Sequence, residues 1–501
     1  MTSAPCNAFL ALPTELLVPV LSYLNVQEIL AVRKTCRVLY AVSKLKCVWI
    51  ARVKHMCAAN DVFAPTFDLP SMSVAALERA ATAPQRFFRL IKASGGGSKL
   101  YPAHRCTLSL AQDGNAAPGA DSFRQIRLVP GGRFVLARTK AEFQIWDMEA
   151  PACRSGALYS ASLKDLLDVP EAALAHINME DCYRGSEESS LRVVFTQCCD
   201  RESSRYWRFL LIQVDFVRRE GVDDSKQASL EVVVEVVAQL SPLIPLDSRP
   251  YIGSTVNSWI TIRTDIDIIV WNPTEDTVAY WRVDPALERT LRAVHLTCDH
   301  AFCIFRDIVT VSSIPPFLDA QSKESWIPST RSFEIALNLR SENCAWLTPR
   351  SWHTSNKASP TAHREPSPTH AFDRFAGSSG LSRYAVGSST NVVQTHSDRA
   401  APTVRDRWQD SNICFDYTCA WMPVRGFSVV EGEGAVCPCV RAPWGYNVGL
   451  LAYDGSPGGS VEVKIDGIES FDGWDVCPAS ARVVCIDRRE PHLVIVYDFL
   501  A

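Results

Sequence analysis

The hydrophobic period changes once along this chain of 501 residues, and that change limits what it can fold into. Through the first hundred or so positions apolar residues recur at three- and four-residue steps, the spacing of one helix face. From about His104 to the C-terminus they recur at every second residue, the spacing of one strand face. A small helical part followed by a large all-β part is the architecture this pattern requires.

The helical part is clearest from Leu12 to Trp49. Leu16, Leu17, Val20, Leu21 and Leu24 fall on one helical surface. Asn25 and Glu28 have the spacing of a capping box, which ends one helix and opens the next. Ile29, Leu30, Val32 and Cys36 form the apolar side of that second helix. A third segment runs from Arg37 towards Met56 with Leu39, Val42, Leu45, Val48 and Trp49 as its apolar positions. Pro19 predicts that the first helix starts late or kinks, because an interior proline costs about 3 kcal/mol. Three helices in about 45 residues leave much apolar surface in water, so the module calls for a partner. Its basic residues, Arg33, Lys34, Arg37, Lys44, Lys46, Arg52 and Lys54, read as a solvated helix face.

These same positions carry a family resemblance. Leu12-Pro13, Glu15-Leu16-Leu17, Val20-Leu21, Tyr23-Leu24, Ile29-Leu30, Val32-Arg33, Cys36-Arg37 and the closing Trp49 resemble the F-box, ungapped over nearly forty residues. F-box proteins are substrate receptors of cullin–RING ubiquitin ligases and bury their helix faces against a Skp-type adaptor. The resemblance implies adaptor contact, or packing directly behind it, for Leu12, Pro13, Leu16, Val20, Leu24, Leu30 and Cys36. Sequence does not divide these residues between the two roles.

The rest of the chain bounds the function further. Hydrophobic residues make up 47%, and 51 basic against 55 acidic residues give a net charge of −4, with no footprint for phosphate backbones or anionic membranes. No apolar run reaches the roughly 18 to 20 residues of a membrane span, and no signal peptide is recognisable. Of the 18 cysteines, Cys36, Cys303 and Cys485 occupy apolar pattern positions, as small hydrophobes do, rather than a disulfide framework. The expected location is intracellular, cytoplasmic or nuclear, with neither nucleic acid nor membrane as partner.

After the F-box-like module (9–56), Ser71 to Ala93 reads as a helix that Pro84 breaks or kinks. Ser94 to Ser98 reads as a glycine-rich hinge or turn, so that 57–98 forms a helical linker ahead of a β domain at 99–501. The strands there come as couplets: Arg133–Arg138 with Glu142–Asp147, Leu191–Thr196 with Trp207–Phe216, Trp259–Arg263 with Ile266–Trp271, and Arg482–Asp487 with Leu493–Phe499. They read as half-buried strands, one face to the core. Trp146-Asp147, Trp271-Asn272, Tyr453-Asp454 and Tyr497-Asp498 resemble the strand ends of degenerate WD-type blades, although the Gly-His dipeptide of such repeats is absent. A long antiparallel array hides its edges by radial repetition, which points to an irregular β-propeller of six or seven blades. Closure would pair the strand at Arg105–Leu110 with the C-terminal strand. A double β-sandwich is the alternative. Residues 350–409, rich in Ser, Pro, Thr, Gly and His, read as a disordered insertion in which Ser359-Pro360 and Ser367-Pro368 are candidate phosphorylation sites.

Chemistry-bearing constellations are weak. Cys414, Cys419, Cys437 and Cys439 lack the spacing of zinc knuckles, and His353, His363, His370 and His396 are too dispersed to chelate. Asp265 and Asp267 read as solvent-facing acids on one strand. Gly131-Gly132 and Gly95 to Gly97 are turn glycines without the Lys-Ser/Thr of a phosphate loop. The expectation is therefore a non-catalytic chain with no catalytic residue, cofactor or metal. It would dock on a Skp-type adaptor, and through it a cullin–RING ligase, while its β domain holds an unnamed client protein. The alternatives are an F-box scaffold that acts by binding without ubiquitination, and a propeller hydrolase that would need a deep polar pocket on the propeller axis.

Overall fold

The computed structural model describes residues 12–60, 62–95, 99–110, 122–149, 156–185, 187–201, 204–219, 229–242, 249–256, 259–283, 291, 293–296, 300–304, 308–322, 329–330, 335–338, 346–349, 370–376, 380–386, 392–397, 428–430, 434–441, 447–453, 461–465 and 471–500. The helices come first: α1 (Thr14–Tyr23), α2 (Val26–Val32), α3 (Arg37–Val42), α4 (Lys46–Ala59) and α5 (Val74–Ser94).

The expected capping box opens α2, with Asn25 and Glu28 bonding each other's backbone. The expected third helix is two. Ser43 ends α3, and its carbonyl accepts from the Trp49 indole N–H at 2.8 Å and from Arg33 Nη2 at 3.3 Å. Leu45 is extended, so α4 begins anew at Lys46. Nor does Pro19 delay α1, which runs from Thr14 through it to Tyr23. Its ring lies on the exposed side, where the carbonyl that its missing N–H leaves is open to solvent. The far end of α1 is closed by buried Arg52, which donates to Leu24 O at 2.7 Å and Ser22 O at 2.9 Å. A guanidinium there answers both the orphan carbonyls and the negative end of the helix dipole. Pro84 likewise stays inside α5.

The strands follow in order. β1 (Lys99–Leu100) and β2 (His104–Ser109) precede a first sheet of β3 (Gln125–Leu128), β4 (Phe134–Arg138), β5 (Glu142–Asp147) and β6 (Tyr159–Ser162). After the short helix α6 (Leu163–Leu167), a second sheet holds β7 (Ile177–Arg184), β8 (Ser190–Arg201), β9 (Ser204–Arg219) and β10 (Ser229–Leu240). The third holds β11 (Tyr251–Val256), β12 (Trp259–Arg263), β13 (Asp267–Asn272) and β14 (Thr277–Arg282). A fourth begins with β15 (Ala293–Leu296), β16 (His300–Ile304) and β17 (Ile308–Ser313). The short β18 (Leu318–Asp319) and β19 (Ser329–Thr330) return to β14 before β20 (Ile335–Asn338) completes that fourth sheet. The fifth is β21 (Trp346–Pro349), β22 (His370–Ala376), β23 (Gly380–Val386) and β24 (Val392–Ser397). The sixth is β25 (Ser428–Val430), β26 (Gly434–Arg441), β27 (Asn447–Tyr453) and β28 (Val461–Ile465), with β1 added in parallel. The seventh is β29 (Phe471–Cys477), β30 (Arg482–Asp487) and β31 (Leu493–Asp498).

Each expected couplet is an antiparallel pair, and β2 closes the seventh sheet by pairing with β31, His104 opposite Asp498 through Ser109 opposite Leu493. Among the described residues, seven sheets built on antiparallel ladders, the last completed by a strand from the beginning of the domain, have the strand order of a β-propeller. This order sets the two-sheet sandwich aside. Neighbouring sheets meet along their first strands, traced from β29 through β3, β7 and β11 to β15. Polar bonds stitch these strands together: Leu128 N donates to Asp475 Oδ2 at 2.8 Å, Met179 N to Gln125 Oε1 at 2.7 Å, and Arg249 pairs with Glu180 at 3.0 Å.

Two expectations about the strands are corrected. Central strands are buried on both faces, not one: every residue of β4 is buried, and β13 sends Ile269 and Trp271 into one core while Ile268 and Val270 enter the next. Face-to-face stacking of sheets leaves no solvent side for the middle strands. For the same reason Asp267 is not a surface acid. It is wholly buried and accepts from Tyr280 Oη at 2.9 Å, Arg282 Nε at 2.8 Å and Thr264 Oγ1 at 3.2 Å, whereas Asp265 is exposed in the preceding turn. Within 350–409, the described residues are β22, β23 and β24, which are regular sheet rather than coil, since runs of seven, seven and six residues suffice for ladder pairing once β21 supplies an edge. The two Ser-Pro dipeptides lie outside the described residues.

The aromatic-acid strand ends have a shared task. Asp147 takes two bonds from Arg133, at 3.0 and 2.7 Å, and Asp498 takes one from Arg482 Nε at 2.9 Å. In both, an acid closing one strand holds an arginine at the entrance to its neighbour.

Candidate docking site

The helical part is not suspended on a tether. One continuous core joins Leu17, Leu21, Trp49 and Leu77 of the helices to Leu108, Ile126, Val135 and Val494 of the first and seventh sheets. A second core seats Phe87, Phe88 and Ile91 of α5 against Tyr497 and Phe499, with the Phe87 and Phe499 ring centroids 5.7 Å apart. Between α4 and α5, buried Phe63 enters a third core, its ring 5.1 Å from Phe216 and 6.2 Å from Phe134. Its N–H donates to Pro130 O at 2.9 Å. Here the chain needs a glycine: Gly131 has φ +108, and a Cβ on it would run into Thr66 and Val62. The glycine pair read as a turn is also where the linker docks.

With its inner side fixed, α1 presents a second apolar stripe outward. Leu17 and Leu21 are 1% exposed, while Leu16 is 53%, Val20 37% and Tyr23 85% exposed. A helix apolar on both sides is ordinarily buried on both. On α3, which touches α1, Val38 and Tyr40 are also exposed while Leu39 and Val42 are buried. Lys34, Arg37 and Lys44 are exposed around them, with Lys44 Nζ 5.7 Å from the Tyr40 ring. The other basic residues of this stretch are occupied or distant: Arg33 and Arg52 bond inside the module, Lys46 donates to Pro70 O, and Lys54 lies exposed on α4.

The structure sorts the seven residues singled out from sequence. Pro13, at the N-cap of α1, and Leu16 and Val20, one turn apart, face solvent. Leu12, Leu24, Leu30 and Cys36 are half-buried and pack against the core. Tyr23, Val38 and Tyr40 share the exposure of the first group without having been singled out. For Tyr23 the signal was present, since it lies one helical step of three beyond Val20. For Val38 and Tyr40 it was not, because a short helix with apolar residues on every side does not declare its outer face.

Among the described residues no group of His, Cys, Asp or Glu is placed to hold a metal ion, and no helix is long and apolar enough to cross a membrane. Cys414 and Cys419 of the rejected zinc set lie outside the described residues.

Residues 9–53 match the F-box-like family, so the helical end of this chain is an F-box-like domain. F-box domains bind Skp-type adaptors, and both they and WD40-type propellers are protein-interaction modules. No curated protein matches the chain. Among solved structures it is similar to the β-propeller domain of Cps50 (Swd1) from Myceliophteria thermophila, at 10% identity and a TM-score of 0.38 over 75% of this chain and 96% of that one. It is also similar to a chain of the mitotic checkpoint complex, at 8% identity and 0.33 over 79% and 94%. The WD40 domain of SCAP from fission yeast gives 8% and 0.31 over 76% and 85%. At these scores the strand order, not the likeness, carries the propeller assignment.

Proposed function

We propose that this chain is the substrate-recognition subunit of a Skp–cullin–F-box-type ubiquitin ligase, docking on the adaptor through α1 and α3 and holding a client protein on the β domain. The observation that carries the reading is the outward stripe of Leu16, Val20 and Tyr23 on an F-box-like helix whose other side is anchored in the core. Burying each such side chain is worth about 1.5–3 kcal/mol, enough for a stable contact when several are covered together. The shared core then supplies what a receptor needs, a fixed distance between adaptor and client. Such a chain works by proximity, raising the local concentration of an acceptor lysine beside the charged conjugating enzyme without chemistry of its own.

The test is binding of purified full-length chain to a purified Skp-type adaptor, beside Leu16→Asp and Val20→Asp. Both positions face solvent, so the variants keep the wild-type melting temperature and lose about 100-fold or more in affinity, the effect of a charge in an apolar contact. A wild-type chain that does not bind the adaptor sinks the proposal. Binding without ubiquitin transfer to captured clients in a reconstituted ligase leaves the scaffold reading instead.

A further inference from the structure

The helical part is cationic in a chain that is not. Residues 12–60 hold Arg33, Lys34, Arg37, Lys44, Lys46, Arg52 and Lys54 against two acids, Glu15 and Glu28, whereas the whole chain carries a net charge of −4. Three of these cations have partners within the fold: Arg33 pairs with Glu78, Arg52 holds the carbonyls at the end of α1, and Lys46 donates to Pro70 O. Lys54 lies exposed on α4. Lys34, Arg37 and Lys44 remain, all three exposed and none in an ion pair with a described residue.

These three share one surface. With Leu39 and Val42 buried, the 3.6-residue period turns Arg37, Ala41 and Lys44 to the opposite side of α3, with Tyr40 on one flank of that line and Val38 on the other. Lys34 lies in the turn just ahead of α3. Tyr40 is 52% and Val38 43% exposed, and the Lys44 ammonium reaches only the Tyr40 ring. Neither acid of the module answers this charge. Glu28 is engaged in the cap of α2, its Oε2 2.7 Å from Asn25 N, and Glu15 stands in the first turn of α1. The arrangement says what can cover it. A surface that buries Val38 and Tyr40 draws the cations beside them out of bulk water, and that loss is offset only by carboxylates placed opposite.

We propose that the α3 side of the docking site recognises an acidic surface: the adaptor presents carboxylates to Lys34, Arg37 and Lys44 around an apolar patch that covers Val38 and Tyr40. This deepens the receptor reading and rests on it. The two helices then divide the work. Leu16, Val20 and Tyr23 of α1 hold the complex once formed, and the cations of α3 speed its formation, because charge at the rim of a contact acts chiefly on the rate of encounter.

The test measures association and dissociation rates of purified full-length chain with a purified Skp-type adaptor at about 0.1 M and about 1 M salt, where the screening length is about 10 Å and about 3 Å. The triple variant Lys34→Glu, Arg37→Glu, Lys44→Glu should associate about tenfold or more slowly at the lower salt and come within about twofold of the wild type at the higher. Glutamine at the same three positions should give an intermediate rate. Three exposed cations of the β domain, Arg124, Lys164 and Arg489, control for net charge, and their reversal to glutamate should alter association by less than about twofold. Unchanged melting temperatures verify the fold of each variant. Association of the α3 variant as fast as the wild type at the lower salt, or a wild-type rate indifferent to salt, overturns this inference and leaves the receptor reading standing. Equal slowing by the β-domain reversal also overturns it, since net charge and not this surface would then steer encounter. An adaptor that does not bind the wild type removes both.

Discussion

Arg33 and Glu78 form a two-point ion pair, both Nη–Oε distances 2.9 Å, that fastens the end of α2 to α5. The same guanidinium donates through Nε to Ser43 Oγ at 3.1 Å and lies 5.3 Å from the ring of Trp49. One side chain therefore joins the break between α3 and α4, the core tryptophan and the connecting helix. With 12% and 25% of the two side chains exposed, the pair lies between surface and buried ion pairs. Glu78→Ala is expected to cost about 1–3 kcal/mol. In a double-mutant cycle with Arg33→Ala the losses should be strongly non-additive by thermal denaturation, and simple additivity would deny the coupling.

Phe63 is the wedge between the helices and the β domain. Phe63→Ala removes a ring that touches Phe134 and Phe216 and should cost about 3–5 kcal/mol. Limited proteolysis should cut between Asn60 and Pro70 much faster than in the wild type. An unchanged cleavage pattern would show that the shared core holds without the wedge.

Tyr23 separates docking from stability. At 85% exposure its replacement by alanine should change stability by less than about 0.5 kcal/mol. If it is an anchor of the adaptor contact, affinity falls about tenfold or more. An unaltered dissociation constant would remove Tyr23 from the interface.

Burial at the junction produces a pH dependence. Burial, with Cys477 beside it, pushes the Cys57 thiol up to about 12 from the ordinary 9.0, and burial with Asp487 nearby does the same to Cys485. Above about pH 9 the unfolded chain releases these protons and the folded chain does not, so the unfolded state binds fewer protons and stability falls as pH rises. The contribution is complete below about pH 9 and lost through about pH 12. Urea midpoints at pH 8 and pH 10.5 should drop less for Cys57→Ala than for the wild type. An equal drop in both would assign the alkaline loss to other groups.

Asp267 is expected to be the most sensitive acid of the third sheet. Asp267→Ala leaves Arg282 and Tyr280 without their buried acceptor, a loss of about 3–5 kcal/mol. Adding Arg282→Ala should then cost little more in melting temperature, and a full second loss would mean the two act separately.

Local signals were legible where one residue type permits one geometry. Asn25 with Glu28 capped α2 as their spacing required, and Gly131-Gly132 formed a turn. The strand couplets paired because alternation and short polar links act over a few residues, and even the pairing of β2 with β31, although distant in sequence, follows from the need to cover an edge. Pro19 did not delay α1 and Pro84 did not break α5, since whether a proline ends a helix depends on what satisfies the freed carbonyl. The single segment expected from Arg37 towards Met56 erred in the opposite sense, because its break at Ser43 is held by Trp49 and Arg33, partners of the Ser43 carbonyl that packing supplies.

The sequence by itself determined that helices precede strands, where the F-box-like pattern lies, and which strands form the four couplets, because period and turn chemistry are written locally. Tertiary structure alone decided which apolar residues face water. Leu16 and Leu17 are adjacent leucines on one helix, and only the position of the core makes one a buried anchor and the other an open contact. It also decided that Asp267 is buried while Asp265 is exposed. Burial is a property of what surrounds a residue, and those surroundings are assembled by packing between elements, which no local pattern records.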